Sequence, residues 1–262
     1  MTAAKRYRWA GGYGVSRRTA LAMLGSSGLF MAGCGSSSSS AEGGSTDEEP
    51  DQRACLIVPG ESSGAYPADG SDSANVLANA AVFRHDIRSD FGDDNTQDGV
   101  PLQLDLTLLD ADGCAPLVGA AVYVWHCNAA GAYSAYAGLH QADHRSASFL
   151  RGVQISDGDG RLSFATIYPG RHDGRATHIY ARIYRDDSLN QVLLTTQLAL
   201  DEDTSEAVYA SRVSYEDSAA TPATDHTQDE AFGDGDQAQR LSLADDGAGG
   251  YVGRLSAALS VL

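Results

Sequence analysis

The sequence predicts an all-β fold, an antiparallel sandwich, on three observations. Apolar residues alternate with polar ones at period two from Leu102 to Leu108, the pattern of a half-buried strand. Short apolar runs recur between Gly- and Asp-rich turns such as Asp110 to Gly113 and Asp157 to Gly160. Helical periodicity is scarce, with Asp201 to Tyr209 as the one candidate. Several short strands with such turns suit two packed sheets.

Taken in order, Leu102, Leu104, Leu106 and Leu108 interleave with Gln103, Asp105 and Thr107 in the first strand. Ala120 to Trp125 is a second, more fully apolar strand, and Arg161 to Ile167 follows the turn at Asp157 to Gly160. Ile179, Ala181 and Ile183 alternate against His178, Tyr180, Arg182 and Tyr184. Val192 to Leu200 and Tyr251 to Leu262 complete the set. The connections are long, and loops on a rigid scaffold are where sites sit.

The first 34 residues read as an export address. They carry five basic residues (Lys5, Arg6, Arg8, Arg17, Arg18), no acid, and an uncharged stretch from Thr19 to Cys34. Arg17-Arg18 before that stretch resembles a twin-arginine signal, and Met31-Ala32-Gly33-Cys34 resembles a bacterial lipobox. The expectation is a signal peptide over 1–33 and a Ser/Gly/acidic tether over 34–54, lipidated at Cys34 and too polar to fold. A single folded domain over 55–262 follows. A plain uncut membrane anchor is the alternative. The protein is then expected in the cell envelope, on the periplasmic or extracellular face, touching the membrane only through its lipid.

Beyond Cys34 the chain holds 13 basic against 35 acidic residues, a net of −22. A body this acidic repels phosphate backbones, so nucleic-acid partners are not expected. No apolar run of about 20 residues follows the N-terminus, so no later membrane span is expected. Cys55, Cys114 and Cys127 are an odd number for an oxidising compartment. One disulfide and one buried thiol is the simplest solution. Cys55–Cys114 is the preferred pair, because Cys127 falls in the reading of a core strand, but the other pairings stay open.

Chemistry concentrates in the middle of the chain. Trp125-His126-Cys127-Asn128 with Gly131-Ala132-Tyr133-Ser134, preceded by Cys114 to Ala120, resembles the intradiol ring-cleavage dioxygenases. Phe149 to Gln154, Asp157 to Gly160, Thr166 to Gly170, Gly174-Arg175 and His178-Ile179 resemble the same family in order. Gly64-Ala65-Tyr66 resembles its Gly-Pro-Tyr segment and Arg84 to Ile87 its Arg-x-Asp-Ile stretch. Asp229 to Gly235 and Gly249 to Tyr251 resemble secreted members.

The resemblance implies an immunoglobulin/prealbumin-like sandwich with long functional loops. It also implies a mononuclear non-haem Fe(3+) held by two tyrosinates and two histidines. Such an enzyme opens a catechol between its hydroxylated carbons with dioxygen, giving a cis,cis-muconate-type diacid. Ferric iron is a hard acid that suits phenolate oxygen. The first family tyrosinate falls on Tyr133, the first histidine on His178, and the family arginine on Arg175, placed to offset negative charge on the ring. Gly64, Ala65 and Tyr66 fall among substrate-lining positions.

Two positions depart from the family. Its Pro-Gly-x-Tyr reads Pro169-Gly170-Arg171-His172 here, and its His-x-His reads His178-Ile179-Tyr180. The expected ligand set is therefore Tyr133, His172, His178 and Tyr180, with the two axial ligands exchanged and His172 available as a base. His178 and Tyr180 are two apart on a strand and project to one face. Blander readings exist: Tyr180 as a packed aromatic, His172 as an exposed loop residue, and the chain as a catalytically inactive, lipid-anchored binder of phenolic ligands or an envelope partner. His140 and His144 have helical zinc-pair spacing but lie among loop residues. Asp157 to Gly160 reads as a turn rather than a calcium loop, and His126 as a packed residue. Oligomeric state and the identity of the catechol are not encoded in any of these motifs.

Overall fold

Leu102, Leu104, Leu106 and Leu108 all point inward from the first strand, β1 (Pro101–Asp110), and each is almost wholly buried. Burying one such side chain contributes about 1.5–3 kcal/mol. A computed structural model describes residues 55–260 except 93, 140, 141 and 173. The signal, the tether, Cys34 and His140 lie outside these. The remaining strands are β2 (Ala121–Trp125), β3 (Ala137–Leu139), β4 (Ala142–Asp143), β5 (Arg151–Ile155), β6 (Arg161–Ile167), β7 (His178–Tyr184), β8 (Val192–Ala199), β9 (Ser242–Asp245) and β10 (Tyr251–Leu259). One sheet runs β6-β1-β10-β9 and the other β5-β2-β7-β8, with β3 and β4 as a small hairpin.

The predicted sandwich is observed, with one departure from antiparallel order. β1 and β10 pair in parallel, Leu102 opposite Tyr251 through Asp110 opposite Leu259. Side-chain alternation has period two in either ladder, so the pattern does not encode strand direction. The predicted helix forms as α1 (Glu202–Tyr209), capped by Asp201, whose carboxylate accepts the Thr204 amide, and a short α2 (Glu216–Ala220) follows. Cys55 and Cys114 form a disulfide, leaving Cys127 a buried thiol. Asp157 accepts the amides of Asp159 and Arg161, so its carboxylate serves the turn.

Between the sheets, the β1 leucines and Phe164 of β6 meet Val122, Val124, Ile179, Ala181, Ile183 and Leu198. β7 is buried along its whole length, although its sequence alternates. Its second face, with Tyr180 and Tyr184, joins Tyr123 and Trp125 of β2 in a separate cluster with Ala68, Val76, Val82 and Tyr133. The chain from 60 to 91 lies over this face. Asp69 of that strap forms a buried ion pair with Arg182 of β7, and Tyr123 donates to the Pro67 carbonyl at 2.9 Å. The outer face of the second sheet is thus an interior.

Candidate metal centre

Four segments meet under the strap. His178 opens β7, and Tyr180 follows it on the same face. Tyr133 comes from the loop after β2, where Asn128 folds a turn by accepting the amides of Ala130 and Ala132 at 3.1 and 2.9 Å. Arg151, wholly buried on β5, donates to the Ser134 hydroxyl and carbonyl at 2.8 Å each and so fixes the residue beside Tyr133. His172 comes from the loop after β6. That loop is tied to the first by the Gly170 amide on Asn128 carbonyl at 3.1 Å and the Cys127 thiol on Gly170 carbonyl at 3.2 Å.

The structure brings the four predicted donors together. Tyr133 and His172 lie 5.5 Å apart, ring centre to ring centre and edge to face, and His178 and Tyr180 4.6 Å. Tyr133 also lies within electrostatic reach of Tyr180, and His172 of His178. Among the described residues no group of three or more His, Cys, Asp or Glu side chains converges. A metal in this site would therefore need the tyrosines. The donor set fits one: His178 donates Nδ1–H to the Ala176 carbonyl at 2.7 Å, while its buried Nε2 has no hydrogen-bond partner. A buried nitrogen in that state is unfavourable unless something takes its lone pair.

Electrostatics point the same way. Burial, then the charge of Arg175, pushes the His178 pKa well below the usual histidine range, so its imidazole is neutral as a ligand must be. Burial raises Tyr133 well above the normal phenol value. Tyr180 is raised by burial too, against the opposing effect of the Arg175 guanidinium. Two buried phenols at neutral pH become phenolates only beside a strong cation.

Arg175 is held from several sides. Its Nε and Nη2 meet the two oxygens of buried Asp229 at 2.9 and 3.0 Å, Nη2 also donates to Gln197 at 2.6 Å, and Nη1 donates to the Tyr180 hydroxyl at 3.1 Å. Sequence reading named Arg175 but missed both partners. Gln197 had a signal, a polar residue entering the apolar end of β8; Asp229 lay in a recognised segment without a role.

The strap supplies the roof. Gly64, Tyr66 and Ala68 have φ of +57°, +67° and +47°, so the chain coils tightly there. Tyr66, half-buried, stacks on Tyr133 at 4.9 Å and meets His172 edge-on at 5.6 Å. Gly64 lies against Tyr180, and Ala65 beside it is exposed. His126 is buried and bonds Thr166 at 2.7 Å, as a packed residue would. His144 packs edge-on to Phe149 at 5.2 Å. His172 is half-buried rather than exposed.

The chain is similar to known dioxygenases. The family profile described as Dioxygenase matches residues 73–214, more than half of the chain. A catechol 1,2-dioxygenase from Candida albicans (strain SC5314 / ATCC MYA-2876) is 46% identical over 72 residues, covering 26% of this chain and 22% of that protein. The matched segment thus spans less than a quarter of that relative. An intradiol ring-cleavage dioxygenase from Tetranychus urticae superposes with a TM-score of 0.62 at 24% identity, over 79% of this chain and 96% of that one. The dioxygenase domain of a carbohydrate-binding fusion from Streptomyces sp. SirexAA-E gives 0.53 at 22% identity, over 79% and 100%. At these identities the two structures share the fold. On the profile match, supported by the shared sandwich, the chain belongs to the intradiol ring-cleavage dioxygenases.

Proposed function

We propose that this chain is a non-haem iron(III) enzyme that cleaves a catechol-type aromatic with dioxygen to a cis,cis-muconate-type diacid. Tyr133, His172, His178 and Tyr180 would hold the metal. The observation that carries the reading is the buried, unpartnered Nε2 of His178, on a ring 4.6 Å from that of Tyr180. Ferric iron, when bound, supplies a Lewis acid that chelates the catecholate and lets it react with dioxygen.

The protein's own residues do the rest. The rings of Tyr66 and Tyr133 wall the site and limit water. His172, at the half-buried rim, can take a proton from the incoming catechol hydroxyl only if its ligating ring nitrogen is given up by the metal to the substrate, which frees that lone pair. Arg175, fixed by Asp229 and Gln197, presents a charge that does not reorganise as the ring becomes electron-rich. Lipidation at Cys34 after twin-arginine export would place this activity in the cell envelope; the residue motifs at 17–18 and 31–34 support that placement.

Protein from iron-supplied cells should be reddish, carry about one iron per chain on metal analysis, and consume oxygen with catechol, hydroxyquinol or protocatechuate. A colourless protein that takes up no ferric iron on addition overturns the reading. A second reading, a binder of phenols without turnover, is favoured by the bond from Arg175 to Tyr180, which engages the exchanged phenol. Tight binding of catechol with no oxygen uptake would select it.

A further inference from the structure

Two of the four candidate donors arrive on loops. Tyr133 follows the turn closed by the Asn128 amide on the Ala132 carbonyl at 2.8 Å, and His172 follows Arg171. A loop has no ladder to fix its distance from another, so some contact must set how far apart the two rings stand. The backbones meet at Gly170, whose amide donates to the Asn128 carbonyl at 3.1 Å. A Cβ built there would lie 2.5 Å from the Ala129 and Asn128 carbonyl oxygens and from Oγ of Ser218, so only glycine allows this approach.

Ser218 closes the contact from a third segment. It sits on α2, wholly buried, 89 residues from Ala129 and 47 from Arg171. A hydroxyl has one proton to give and lone pairs to receive another, and both are used across the two loops. Oγ donates to the Ala129 carbonyl at 2.6 Å and accepts the Arg171 amide at 2.8 Å. The Arg171 side chain ties its loop to the same helix, with Nη1 donating to the carbonyls of Ser218 and Thr221 at 3.2 and 2.8 Å. Its Nη2 pairs with Glu206 of α1, and the guanidinium lies over the Tyr209 ring, 4.9 Å from its centre. The residue before His172 is thus fastened through its amide and its side chain. The segment that does this lies beyond residue 214, where the family profile ends.

We propose that Ser218 is a positioning residue for Tyr133 and His172: its hydroxyl sets the separation of the two loops that carry them. At the opposite end of β2, Ser156 makes the same pair of bonds, donating to the Leu117 carbonyl at 2.6 Å and accepting the Ala120 amide at 3.0 Å. It is also buried, but it joins segments that carry no donor. The two serines share a structural duty, and only Ser218 holds loops that lead to the site. This inference rests on the proposed roles of Tyr133 and His172 as metal donors.

The test compares Ser218→Ala with Ser156→Ala, alongside Gly170→Ala, which wedges the same loops apart. Both serine variants should lower the melting temperature. In ferric protein, Ser218→Ala and Gly170→Ala should shift the visible tyrosinate band and weaken iron about tenfold, the scale of one or two lost buried hydrogen bonds. Ser156→Ala should stay near the parent in band position and affinity. In metal-free protein, hydrogen exchange at the amides of Ala130, Ala132 and Arg171 should quicken about tenfold in Ser218→Ala and not in Ser156→Ala. A band and affinity that move equally in both serine variants, or in neither, overturn the proposal, as does unaltered exchange. If the parent takes no iron, the metal reading fails by itself, and the metal-free exchange still decides whether Ser218 joins the loops.

Discussion

Strand β7 divides two interiors. Ile179, Ala181 and Ile183 enter the apolar cluster between the sheets, where fit is the main requirement. His178, Tyr180, Arg182 and Tyr184 enter the space under the strap, where each buried polar atom needs a partner. Arg182 finds Asp69 and Thr195, and Tyr180 finds Arg175. Nε2 of His178 has none. The contrast shows how a site is distinguished from a core of equal burial: the core is complete as it stands, and the site has a group waiting for something.

The sharpest way to break that contrast is to truncate neighbours on opposite faces. His178→Ala should reduce iron retention at least a hundredfold, read by metal analysis, with a small change in melting temperature. Ile179→Ala should do the reverse, costing about 2–5 kcal/mol of unfolding free energy in urea while the surviving folded protein keeps its iron. If His178→Ala unfolds the protein and leaves bound iron unchanged per folded chain, the two faces do not differ as argued.

Restoring the family pattern probes the site face alone. His172→Tyr together with Tyr180→His should keep iron, while either single change weakens it tenfold or more by equilibrium dialysis. Equal binding by both singles would remove the exchange from the account.

Asp229→Asn tests the polar cost of the site face, since it removes the buried carboxylate of Arg175 and leaves only the exposed Glu230 at 3.3 Å, a loss of about 3 kcal/mol. The same carboxylate predicts acid behaviour. Burial alone would raise its pKa, but bonds from Arg175 and the Ala231 and Ala176 amides outweigh this, and the value is lowered. Its stabilisation is complete above the unfolded value near 4 and is lost as pH falls through the lower folded value. His126, pushed by burial down to about 4, adds a loss between pH 6.5 and 4, because only the unfolded chain binds that proton. Urea midpoints against pH should show both, and Asp229→Asn should lessen the lower one, which Asp69, Asp86, Asp201 and Asp236 share. The smallest effect is expected at exposed Val118, where Val118→Ser should change stability by less than about 0.5 kcal/mol and leave iron untouched.

Alternation at Leu102 to Leu108 and at His178 to Tyr184 made the strands legible, and Asp201 marked the start of α1. The same alternation did not reveal that both faces of β7 are buried, because an alternating strand reads as covered on one face and only the strap covers the other. The donors were found by motif position, Tyr133 in Gly-x-Tyr-Ser and His172 after Pro-Gly. Gln197 and Asp229 were not found as partners of Arg175, since they lie 22 and 54 residues from it and no local pattern links them. Gly64 was named as lining the site, but that it leaves room for the Tyr180 hydroxyl appears only in three dimensions, far along the chain.

The sequence by itself determined the sandwich, the disulfide candidates and the types of donor, because side-chain parity and local turn chemistry act over a few residues. Only the tertiary structure decided that β1 and β10 run parallel, that the strap makes an interior of an outer face, and that Tyr180 is seated by Gly64 and Arg175. Those outcomes depend on backbone direction and on contacts between distant segments, and neither leaves a period in the chain.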